Sequence, residues 1–596
     1  MYDYTPPLRD MEFILTELAG LDAIAAFPAC AEASPDLVSA ILDEAGKFAA
    51  NVLAPINHSG DTQGCRLTRD GQVITPDGWQ SAYDQFCEAG WLGIALPEEF
   101  GGQALPKLLS TPVWEMWFSS NMAFTMLPQL NVSQAKALMI AATDEQKATW
   151  LEKVVTGEWA STMNLTEPQA GSDLAATRSR AEPTDDGNYR IFGQKIYISY
   201  GEHELTPNIV HLVLARLPDA PEGVEGLSLF IVPKYRVNKD GSLGAKNDVR
   251  CISIEHKMGI RGSPTCTLSF GDDEGAVGYL LGKPNRGLET MFVMMNDARF
   301  GVGVQGVGLG ERAYQYALNY ARERVQGRDA VTGELGKPII HHPDVQRMVL
   351  SMRARVMAMR GLLYTAGGWF DIAHHHDDKA IADKHQRYID LLMPVAKGWC
   401  TEVGNAVCDD ALQVFGGMGF VEETGIAQYF RDARIITIYE GTTGIQANDL
   451  IGRKILRDQG ATLIELMTDM RITTDLLTQH DALTDLAPRF AQQLDALQTA
   501  SDWVLAQTKE NRAQVLAGAV PFLLLLGTVV GSWQMCRLAL AAQRKSASKG
   551  DDKAYHENLQ QLARFFLITY GSQAPAYATT VCEAGEALLA INMEAV

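Results

Sequence analysis

The sequence is short of positive charge, and this shortage narrows what the chain can bind. Lys and Arg total 51 against 72 Asp and Glu, which gives a formal net charge of −21. Such an excess of acid disfavours nonspecific binding to nucleic acid or to anionic lipid. It still permits an anionic small molecule, because local arginines and helix N-termini can reverse the field inside a cleft.

The sequence also lacks paired cysteines and an export signal. Its nine cysteines are scattered, odd in number and without a CxxC pair. This usage is typical of reduced thiols rather than of a disulfide framework, so we expect a cytoplasmic protein. The first residues, MYDYTPPLRDMEFILTEL, carry acids early and no basic segment followed by an apolar core. We therefore expect no secretory signal.

One stretch approaches the length of a membrane span. No charged residue lies between Arg512 and Arg537, and the stretch contains a GxxxG at Gly527 and Gly531. A helix that starts at Pro521 has about 16 uncharged residues before Arg537, fewer than the roughly 20 that cross a bilayer. We predict a buried bundle helix whose glycines allow close packing, and no membrane span.

The hydrophobic periodicity of the sequence changes along the chain, and these changes predict several domains. Helical periodicity is followed by short β-rich segments such as YRIFGQKIYIS and LSLFIVPKY, and then by helical periodicity again. With 596 residues, 46% of them hydrophobic, the chain can bury a large core. The predicted domains are an N-terminal extension at 1–35, a helical domain at 36–157, a β-domain at 158–285, a helical domain at 286–456 and an extra helical domain at 457–596.

Two motifs suggest functions that their context opposes. GVGVQG at 301–306 matches the GxGxxG of dinucleotide-binding folds, but helical sequence precedes it where a strand is required. We predict that its small residues let two helices approach closely. His374, His375 and His376 are consecutive and point in different directions, which indicates a solvated bend rather than a metal site.

The segment MNLTEPQAGSDLAATRS at 163–179 is more informative. It joins strand-like residues to a turn made of Pro168, Gly171, Ser172 and Asp173. A loop of this kind offers backbone N–H groups and hydroxyls to a ring or a phosphate. An ordinary hairpin turn is the alternative interpretation.

Five motifs occur in the order and rough spacing of acyl-CoA dehydrogenases, and the resemblance covers about residues 36–456. It implies a mostly α fold with a central β-domain, built as a helical bundle, a β-barrel-like domain and a second helical bundle, with FAD between the last two. The extra C-terminal helical domain resembles that of longer members. The motifs are LTEPQAGSD (165–173), GQKIYISYG (193–201), HKMGIRGSPTC (256–266), QVFGGMGF (413–420) and IYEGTTGIQ (438–446).

The two ends of the chain narrow the resemblance. The N-terminal YTPPLRDMEFILTEL and the block after residue 456 look most like those of the 3-methylmercaptopropionyl-CoA dehydrogenase branch. Members of that branch oxidise the CoA thioester of a sulfur-containing acid derived from dimethylsulfoniopropionate. The alternative is a medium- or long-chain fatty acyl-CoA dehydrogenase of β-oxidation. An acyl-CoA oxidase and a DNA-binding flavoprotein share the fold, but the charge of −21 argues against DNA.

Carried over by position, the resemblance assigns a role to individual residues. Glu440 in YEGT resembles the catalytic base, and Ala298 occupies the position where some relatives place that base instead. Asn296 stands where an acid is common. Residues resembling FAD contacts are Met163, Leu165, Thr166, Tyr197, Ser199, Arg324, Gln413, Gly417 and Thr442, and Arg324 resembles the arginine that reaches the FAD of a neighbouring subunit. Residues resembling CoA-side contacts are Ser172, Arg299 and Arg453.

The resemblance and the local sequence together predict the chemistry. Removing a proton α to a thioester carbonyl needs a base in a dry site, and no Lys or Arg stands beside Glu440 in IITIYEGTTG. We expect desolvation near Ile438 and Tyr439 to raise the pKa of Glu440 above its reference of about 4.3, and Gly441 to turn the backbone. FAD would accept the hydride, an electron-transferring flavoprotein would take the electrons, and a homodimer is expected.

Overall fold

The chain is described by a computed structural model that covers residues 2–507, 510–545 and 551–596. Its α-helices, numbered in chain order, are α1 (Leu8–Glu17), α2 (Leu21–Ala25), α3 (Pro35–Phe48), α4 (Ala54–Gln63), α5 (Trp79–Glu88), α6 (Lys107–Ser120), α7 (Met122–Ala141), α8 (Asp144–Val155), α9 (Gly287–Glu323), α10 (Pro343–His375), α11 (Lys379–Val414), α12 (Ile426–Ala433), α13 (Thr443–Asp449), α14 (Ala461–Thr478), α15 (Leu486–Gln507), α16 (Arg512–Ala517), α17 (Ala519–Arg544), α18 (Asp551–Thr569) and α19 (Ala574–Leu589).

The strands lie almost entirely in the middle of the sequence. They are β1 (Arg66–Leu67), β2 (Val73–Ile74), β3 (Trp159–Asn164), β4 (Arg180–Pro183), β5 (Tyr189–Ser199), β6 (Asn208–Arg216), β7 (Leu227–Pro233), β8 (Tyr235–Val237), β9 (Leu243–Lys246), β10 (Val249–Ile254), β11 (Thr265–Phe270) and β12 (Ala276–Leu281). The predicted fold, mostly α with a central β-domain and extra helices at the C-terminus, is confirmed.

The chain divides into two compact units. The helical unit contains the chain up to Lys47, 106–119 and 302 onward, and the β-containing unit contains 48–105 and 120–301. Helices α3, α6 and α9 continue from one unit into the other. Each unit has its own core and is described separately below.

Helix α17 lies at the centre of the extra helices in the helical unit. It packs against α10, α11, α18 and α19, and a Cβ on Gly527 would lie 2.2 Å from the Trp399 ring of α11. The predicted close approach at the GxxxG is therefore confirmed, since Gly531 also faces Trp399. The helix begins at Ala519, two residues before the predicted start, because Pro521 is accommodated within its first turn.

The same helix is the one described segment long and apolar enough to cross a membrane. Its most apolar 18-residue window has a mean hydropathy of 1.6, and 83% of that window is buried inside the protein. Such burial is typical of a core helix, which meets the same length and composition criteria as a membrane span.

The GVGVQG segment is continuous helix within α9, as predicted. A Cβ on Gly303 would lie 2.7 Å from the Ala396 carbonyl oxygen, and one on Gly306 would lie 2.5 Å from that of Cys400. Both contacts are with the backbone of α11. Only glycine therefore allows α9 and α11 to pack at this distance.

A buried charge cluster joins the N-terminal extension to the helical unit. Arg360 is fully buried and donates to Glu115 at 3.0 Å and to Glu311 at 2.8 Å, while Asp10 of α1 pairs with Arg353 at 2.5 Å. A buried guanidinium needs such paired acceptors, because desolvation alone would be very costly. The cluster therefore makes α1 part of this unit.

The histidine run differs from its prediction. His374 and His375 form the last turn of α10 rather than a solvated bend, and only His376 lies beyond the helix. The rings of His375 and His376 contact Phe27, at 6.4 and 5.8 Å between centroids. Phe27 therefore partly covers a helix end that sequence alone predicted to be solvated, and His374 remains exposed.

The β-containing unit is built around a closed sheet. Strands β5, β12, β7, β6 and β4 pair in a ring, because β4 pairs with both β5 and β6. Strands β10 and β11 extend the sheet from β5, and β3 adds to β6 in parallel. The inward-facing side chains form the core, among them Ile191, Val213, Phe230, Val232 and Leu268.

Candidate functional site

The predicted base, Glu440, lies in a tight turn between two helical segments of the helical unit. A 3₁₀ turn at Arg434–Thr437 precedes it, and Thr442 begins α13 by accepting a hydrogen bond from the Ile445 N–H at 3.2 Å. Glu440 and Gly441 both have left-handed backbone, with φ of +55° and +90°. Sequence analysis predicted this for Gly441 only, and a non-glycine residue in this region is strained.

Two buried donors hold this turn. The ammonium of Lys397, on α11, donates to the Gly441 carbonyl at 2.7 Å, and the side-chain amide of Gln446, on α13, donates to the Glu440 carbonyl at 3.1 Å. Both side chains are fully buried. The absence of Lys and Arg near Glu440 in the sequence therefore does not persist in three dimensions, because a lysine 43 residues away supplies a cation to the adjacent peptide.

Tyr439 provides an apolar wall beside the base. Its hydroxyl donates to the side-chain oxygen of Gln305. Burial, and then the nearby Glu440 carboxylate, raise the pKa of Tyr439 well above its ordinary value, so the phenol stays neutral. Ile438, by contrast, is 46% exposed and Glu440 is half-buried, so the dry environment predicted for the base is only partly built by this unit.

The predicted flavin contacts in the β-containing unit lie on two neighbouring segments. Met163 is the second-last residue of β3, and Leu165 and Thr166 follow in the loop. The Thr166 carbonyl accepts a hydrogen bond from the Ile196 N–H of β5 at 2.9 Å. The structure therefore brings the LTEP loop next to KIYIS, which carries Tyr197 and Ser199.

A β-bulge explains why the Tyr197 side chain faces outward. Strand β5 pairs with β11 through Lys195–Leu268 and then Ile198–Cys266, so the register shifts between these pairs. Tyr197, in the bulge, has φ +60° and is 61% exposed, although it is a large aromatic residue. Bulges commonly redirect a side chain at a functional site. Sequence alternation alone gives no signal for this one.

The groups around Tyr197 fit an isoalloxazine ring. Thr166 and Ser199 are half-buried, and neither hydroxyl has a hydrogen-bond partner within the described residues. A flat exposed ring flanked by unpaired hydroxyls suits a planar heterocycle with a polar edge. FAD is such a group, and the residues present are compatible with it.

Two residues that sequence analysis did not single out connect these segments. Lys195 is fully buried and donates to the Glu167 carboxylate at 2.8 Å and to the Leu165 carbonyl at 3.0 Å. Both occur inside motifs that carry the resemblance, LTEPQ and GQKIY. A charged residue within two positions of a predicted cofactor contact in each motif was the available signal.

The remaining predicted FAD contacts form a separate exposed region of the helical unit. Arg324 follows α9, Gln413 lies in the last turn of α11, and Gly417 lies in the 3₁₀ turn Gly416–Phe420 that follows it; all three are exposed. The stacked rings of Tyr320 and Phe415, 4.0 Å apart, join these two helix ends. Thr442, the other predicted FAD contact of this unit, lies elsewhere. The hydroxyl of its neighbour Thr443 donates to Glu402, which is 11 residues before Gln413 on α11. At about 1.5 Å per residue, roughly 16 Å of α11 separates Glu402 from Gln413.

The predicted CoA-side residues have different surroundings. Ser172 is exposed in the loop after β3, whereas Arg299 is 6% exposed and donates to Asn296 at 3.3 Å. Arg453 is exposed in a π-helical turn, 3.4 Å from Asp449. Ser172 and Arg299 belong to the β-containing unit and Arg453 to the helical unit.

The alternative base position is unsuited to catalysis in this chain. Ala298 is apolar, and its neighbour Asp297 accepts a hydrogen bond from Ser133 at 2.9 Å and pairs with Lys136. A carboxylate engaged by a cation and a hydroxyl is a poor proton acceptor. Among the acids considered, Glu440 is therefore the better candidate.

Comparisons with known proteins identify the family. The family model described as "Acyl-CoA dehydrogenase, N-terminal domain" matches residues 36–158, the middle-domain model 162–272 and the C-terminal-domain model 285–456, and "Acetyl-CoA dehydrogenase C-terminal like" matches 466–592.

Individual relatives span nearly the whole chain. A 3-methylmercaptopropionyl-CoA dehydrogenase of Ruegeria pomeroyi is 44% identical over 99% of this chain and 100% of its own length, and a butyryl-CoA dehydrogenase of Syntrophomonas wolfei is 34% identical over 95% of each. The fold matches a Bacillus anthracis acyl-CoA dehydrogenase complexed with FAD, with a TM-score of 0.73, 22% identity and coverage of 98% of this chain and 93% of that one. These matches show that the chain belongs to the acyl-CoA dehydrogenase family, oxidoreductases that act on CH–CH bonds of acyl-CoA.

Proposed function

We propose that this chain oxidises 3-methylmercaptopropionyl-CoA to methylthioacryloyl-CoA in the breakdown of dimethylsulfoniopropionate. The 44% identity with the Ruegeria pomeroyi enzyme, over nearly the full length of both proteins, carries this proposal. The match extends to the N-terminal helix α1 and the C-terminal helices α14–α19, which lie outside the residues 36–456 spanned by the N-terminal, middle and C-terminal domain models. Within the family, substrate choice then depends on the acyl pocket.

Glu440 takes the proton from the α-carbon of the thioester. The α C–H bond breaks and its proton passes to a carboxylate oxygen, while a hydride leaves the β-carbon and a trans double bond forms. The left-handed turn, held by Lys397 and Gln446, fixes the direction of the carboxylate. Tyr439 excludes water on one side of the carboxylate.

The β-containing unit supplies the residues that hold FAD. Thr166 and Ser199 offer hydroxyls to the polar edge of the ring, and Tyr197 offers an aromatic surface beside it, with Met163 and Leu165 alongside. When bound, FAD supplies the hydride acceptor that no side chain can provide. An electron-transferring flavoprotein is the proposed electron acceptor, as the family resemblance implies.

A second copy of the chain is proposed to complete the cofactor site. Gln413 lies about 16 Å along α11 from Glu402, the residue that Thr443 bonds, and Arg324 and Gly417 lie near the same exposed helix end, which favours a role toward the FAD of a partner subunit. Phe420 is 90% exposed and Met418 45% exposed beside them, and apolar exposure of this size favours an interface. Light scattering should give twice the chain mass, and Phe420→Asp should lower that mass and release FAD. A monomeric wild type that retains FAD would contradict this arrangement.

A straight-chain acyl-CoA is the second candidate substrate. It is favoured by the 34% identity with the Syntrophomonas wolfei butyryl-CoA dehydrogenase. Both candidates use the same base and cofactor, so the difference lies in whether the pocket accommodates a thioether sulfur. Kinetic comparison decides between them.

The test is a substrate comparison on the purified holoenzyme. We would measure FAD content from the visible spectrum, and kcat/KM with an artificial electron acceptor for 3-methylmercaptopropionyl-CoA, butyryl-CoA and octanoyl-CoA. The proposal expects a yellow protein with the highest kcat/KM for the sulfur-containing thioester. A higher value for butyryl- or octanoyl-CoA overturns the substrate, and a protein that does not bind FAD overturns the function. Peroxide formation in place of dye reduction would identify an oxidase instead.

A further inference from the structure

A clasp of three contacts joins the LTEP loop to strand β5. The Lys195 ammonium donates to the Leu165 carbonyl at 3.0 Å and to the Glu167 carboxylate at 2.8 Å. Between them, the Ile196 N–H donates to the Thr166 carbonyl at 2.9 Å. Three consecutive loop residues are thus fixed to two consecutive strand residues.

The Glu167 carboxylate extends this clasp to a third segment. Its oxygens accept hydrogen bonds from the Arg178 N–H at 2.8 Å, the Ser179 N–H at 3.1 Å and the Ser179 hydroxyl at 2.6 Å, and from the Gln169 amide at 2.6 Å. Glu167 is only 3% exposed. Burial alone would raise its pKa, but Lys195 and these donors outweigh burial and lower it, so the group remains a carboxylate.

The clasp lies immediately beside the bulge. Lys195 is the last residue in register before the shift, and Tyr197, two residues later, is turned outward with φ +60°. On the other side of the clasp, Thr166 is flanked by the two loop residues that Lys195 binds. The predicted flavin contacts Thr166 and Tyr197 are therefore each next to a residue of the clasp.

Stability alone does not account for an ion pair at this position. Apolar residues of similar volume often replace a buried pair without loss of stability, whereas specific backbone contacts cannot be replaced in that way. Here both charged groups also bind backbone, at the Leu165 carbonyl and at the N–H groups of Arg178 and Ser179. Their contacts fix the separation between two backbone segments.

We infer that Lys195 and Glu167 are positioning residues for FAD, which set the spacing between the Leu165–Thr166 backbone and the Tyr197 bulge so that one planar ring can contact both. This inference rests on the proposed function, because it requires that the chain bind FAD. Neither side chain needs to touch the cofactor, since both are buried, whereas Tyr197 is 61% exposed. A supporting shell of this kind determines how well a binding site is preorganised.

The same unit contains a matched control. Lys234 pairs with Glu202 and also donates to the His203 carbonyl at 3.3 Å, so it too joins a carboxylate and a backbone carbonyl. The two side chains are 13% and 8% exposed. Lys234 follows strand β7 and Glu202 follows strand β5, and the contacts of this pair include neither the LTEP loop nor Tyr197. Breaking it should lower stability without specifically weakening FAD binding.

The experiment is an FAD titration of flavin-depleted, full-length protein. Flavin fluorescence would give the FAD Kd for wild type, Glu167→Gln, Lys195→Met, Lys195→Arg and Lys234→Met, and thermal unfolding would give the stability of each. We expect Glu167→Gln and Lys195→Met to raise the FAD Kd by about tenfold or more, since a hydrogen bond to a charged group is lost at the binding site. Lys234→Met should raise it by less than about threefold at a comparable loss of Tm. Lys195→Arg, which keeps the cation, should restore part of the affinity.

A second measurement separates positioning from general destabilisation. At saturating FAD, the visible absorption band of the bound flavin should shift in Glu167→Gln, which keeps the size of the side chain, and not in Lys234→Met. The inference is overturned if Glu167→Gln and Lys195→Met bind FAD as wild type does, or if Lys234→Met weakens binding equally. Wild-type protein that fails to bind FAD would instead overturn the proposed function.

Discussion

The two turns that carry the predicted reaction partners, one in each unit, use a similar device. Glu440 and Tyr197 are both non-glycine residues with left-handed backbone, at φ +55° and +60°. Near each lies a fully buried lysine that donates to a backbone carbonyl, Lys397 to Gly441 at 2.7 Å and Lys195 to Leu165 at 3.0 Å. Strained conformations of this kind persist only where the surroundings determine them.

The two lysines differ in the groups that share the turn with them. Lys195 is paired with the Glu167 carboxylate, so the charge beneath the flavin contacts is largely balanced. At the other turn, Gln446 is the second donor, and the two donors bind the consecutive carbonyls of Glu440 and Gly441. Lys397 therefore binds the backbone directly beside Glu440, whereas Lys195 also pairs with the Glu167 carboxylate.

The largest expected effect distinguishes the roles of the two turns. Glu440→Ala should lower kcat by roughly 10²–10⁴-fold, the usual contribution of a general base, while FAD content and Tm stay near wild type. Tyr197→Ala should instead weaken FAD binding first. Steady-state kinetics and flavin absorbance measure the two properties separately. Substantial activity in Glu440→Ala would reverse the assignment of the two turns.

A smaller effect is expected at Lys397. Lys397→Met removes the donor to the Gly441 carbonyl, so the carboxylate loses its fixed direction and kcat should fall by up to about 10²-fold, with KM little changed. Lys384→Met is the matched control, because Lys384 lies on the same helix and pairs with Asp469 at 2.9 Å. Equal losses in both variants would show that the turn is not held by Lys397.

The pH profile of Lys397→Met tests whether the charge of Lys397 affects the protonation of Glu440. A carboxylate that loses a nearby cation is protonated more readily, so its pKa rises. The acidic limb of kcat/KM should therefore move to higher pH in Lys397→Met and stay in place in Lys384→Met. A limb that does not move in Lys397→Met would restrict Lys397 to holding the backbone.

The smallest effect concerns the stability of the β-containing unit in acid. Burial lowers the pKa of both His203 and His211 to about 3, so their rings stay neutral in the folded state. Below pH 6.5 the unfolded chain takes up protons that the folded chain does not. Each histidine therefore removes about 1.4 kcal/mol of stability per pH unit as the pH falls from 6.5 towards 3.

Denaturant unfolding across that pH range measures this loss. His211→Gln should reduce the slope by about 1.4 kcal/mol per pH unit, whereas His374→Gln, at an exposed position of the helical unit, should leave it unchanged. FAD release should follow the acid-induced unfolding of the β-containing unit. An unaltered slope in His211→Gln would show that the ring is not buried and neutral.

Much of the fold could be predicted because its signals are local. YRIFGQKIYIS is strand β5 from Tyr189 to Ser199, and GVGVQG is helix, as its flanking periodicity indicated. The glycines Gly527 and Gly531 contact the Trp399 ring, as expected of close helix packing. In each case the relevant information lies within one element.

The supporting residues of the site could not be predicted, because their contacts join distant parts of the chain. Glu167 and Lys195 are 28 residues apart, and Lys397 and Gly441 are 44 apart. A buried lysine looks like a solvated one in a single sequence. The bulge at Tyr197 depends on the register with β11 and with the LTEP loop, which periodicity within β5 does not specify.

The most direct test of the account is a single-turnover experiment on the FAD-loaded protein. Under anaerobic conditions, wild type mixed with one equivalent of 3-methylmercaptopropionyl-CoA should lose its flavin colour rapidly, and Asp297→Asn should do so at a similar rate because Asp297 is already engaged by Lys136 and Ser133. Glu440→Gln should keep its colour although it binds the thioester. Rapid bleaching in Glu440→Gln, or its loss in Asp297→Asn alone, would contradict Glu440 as the base.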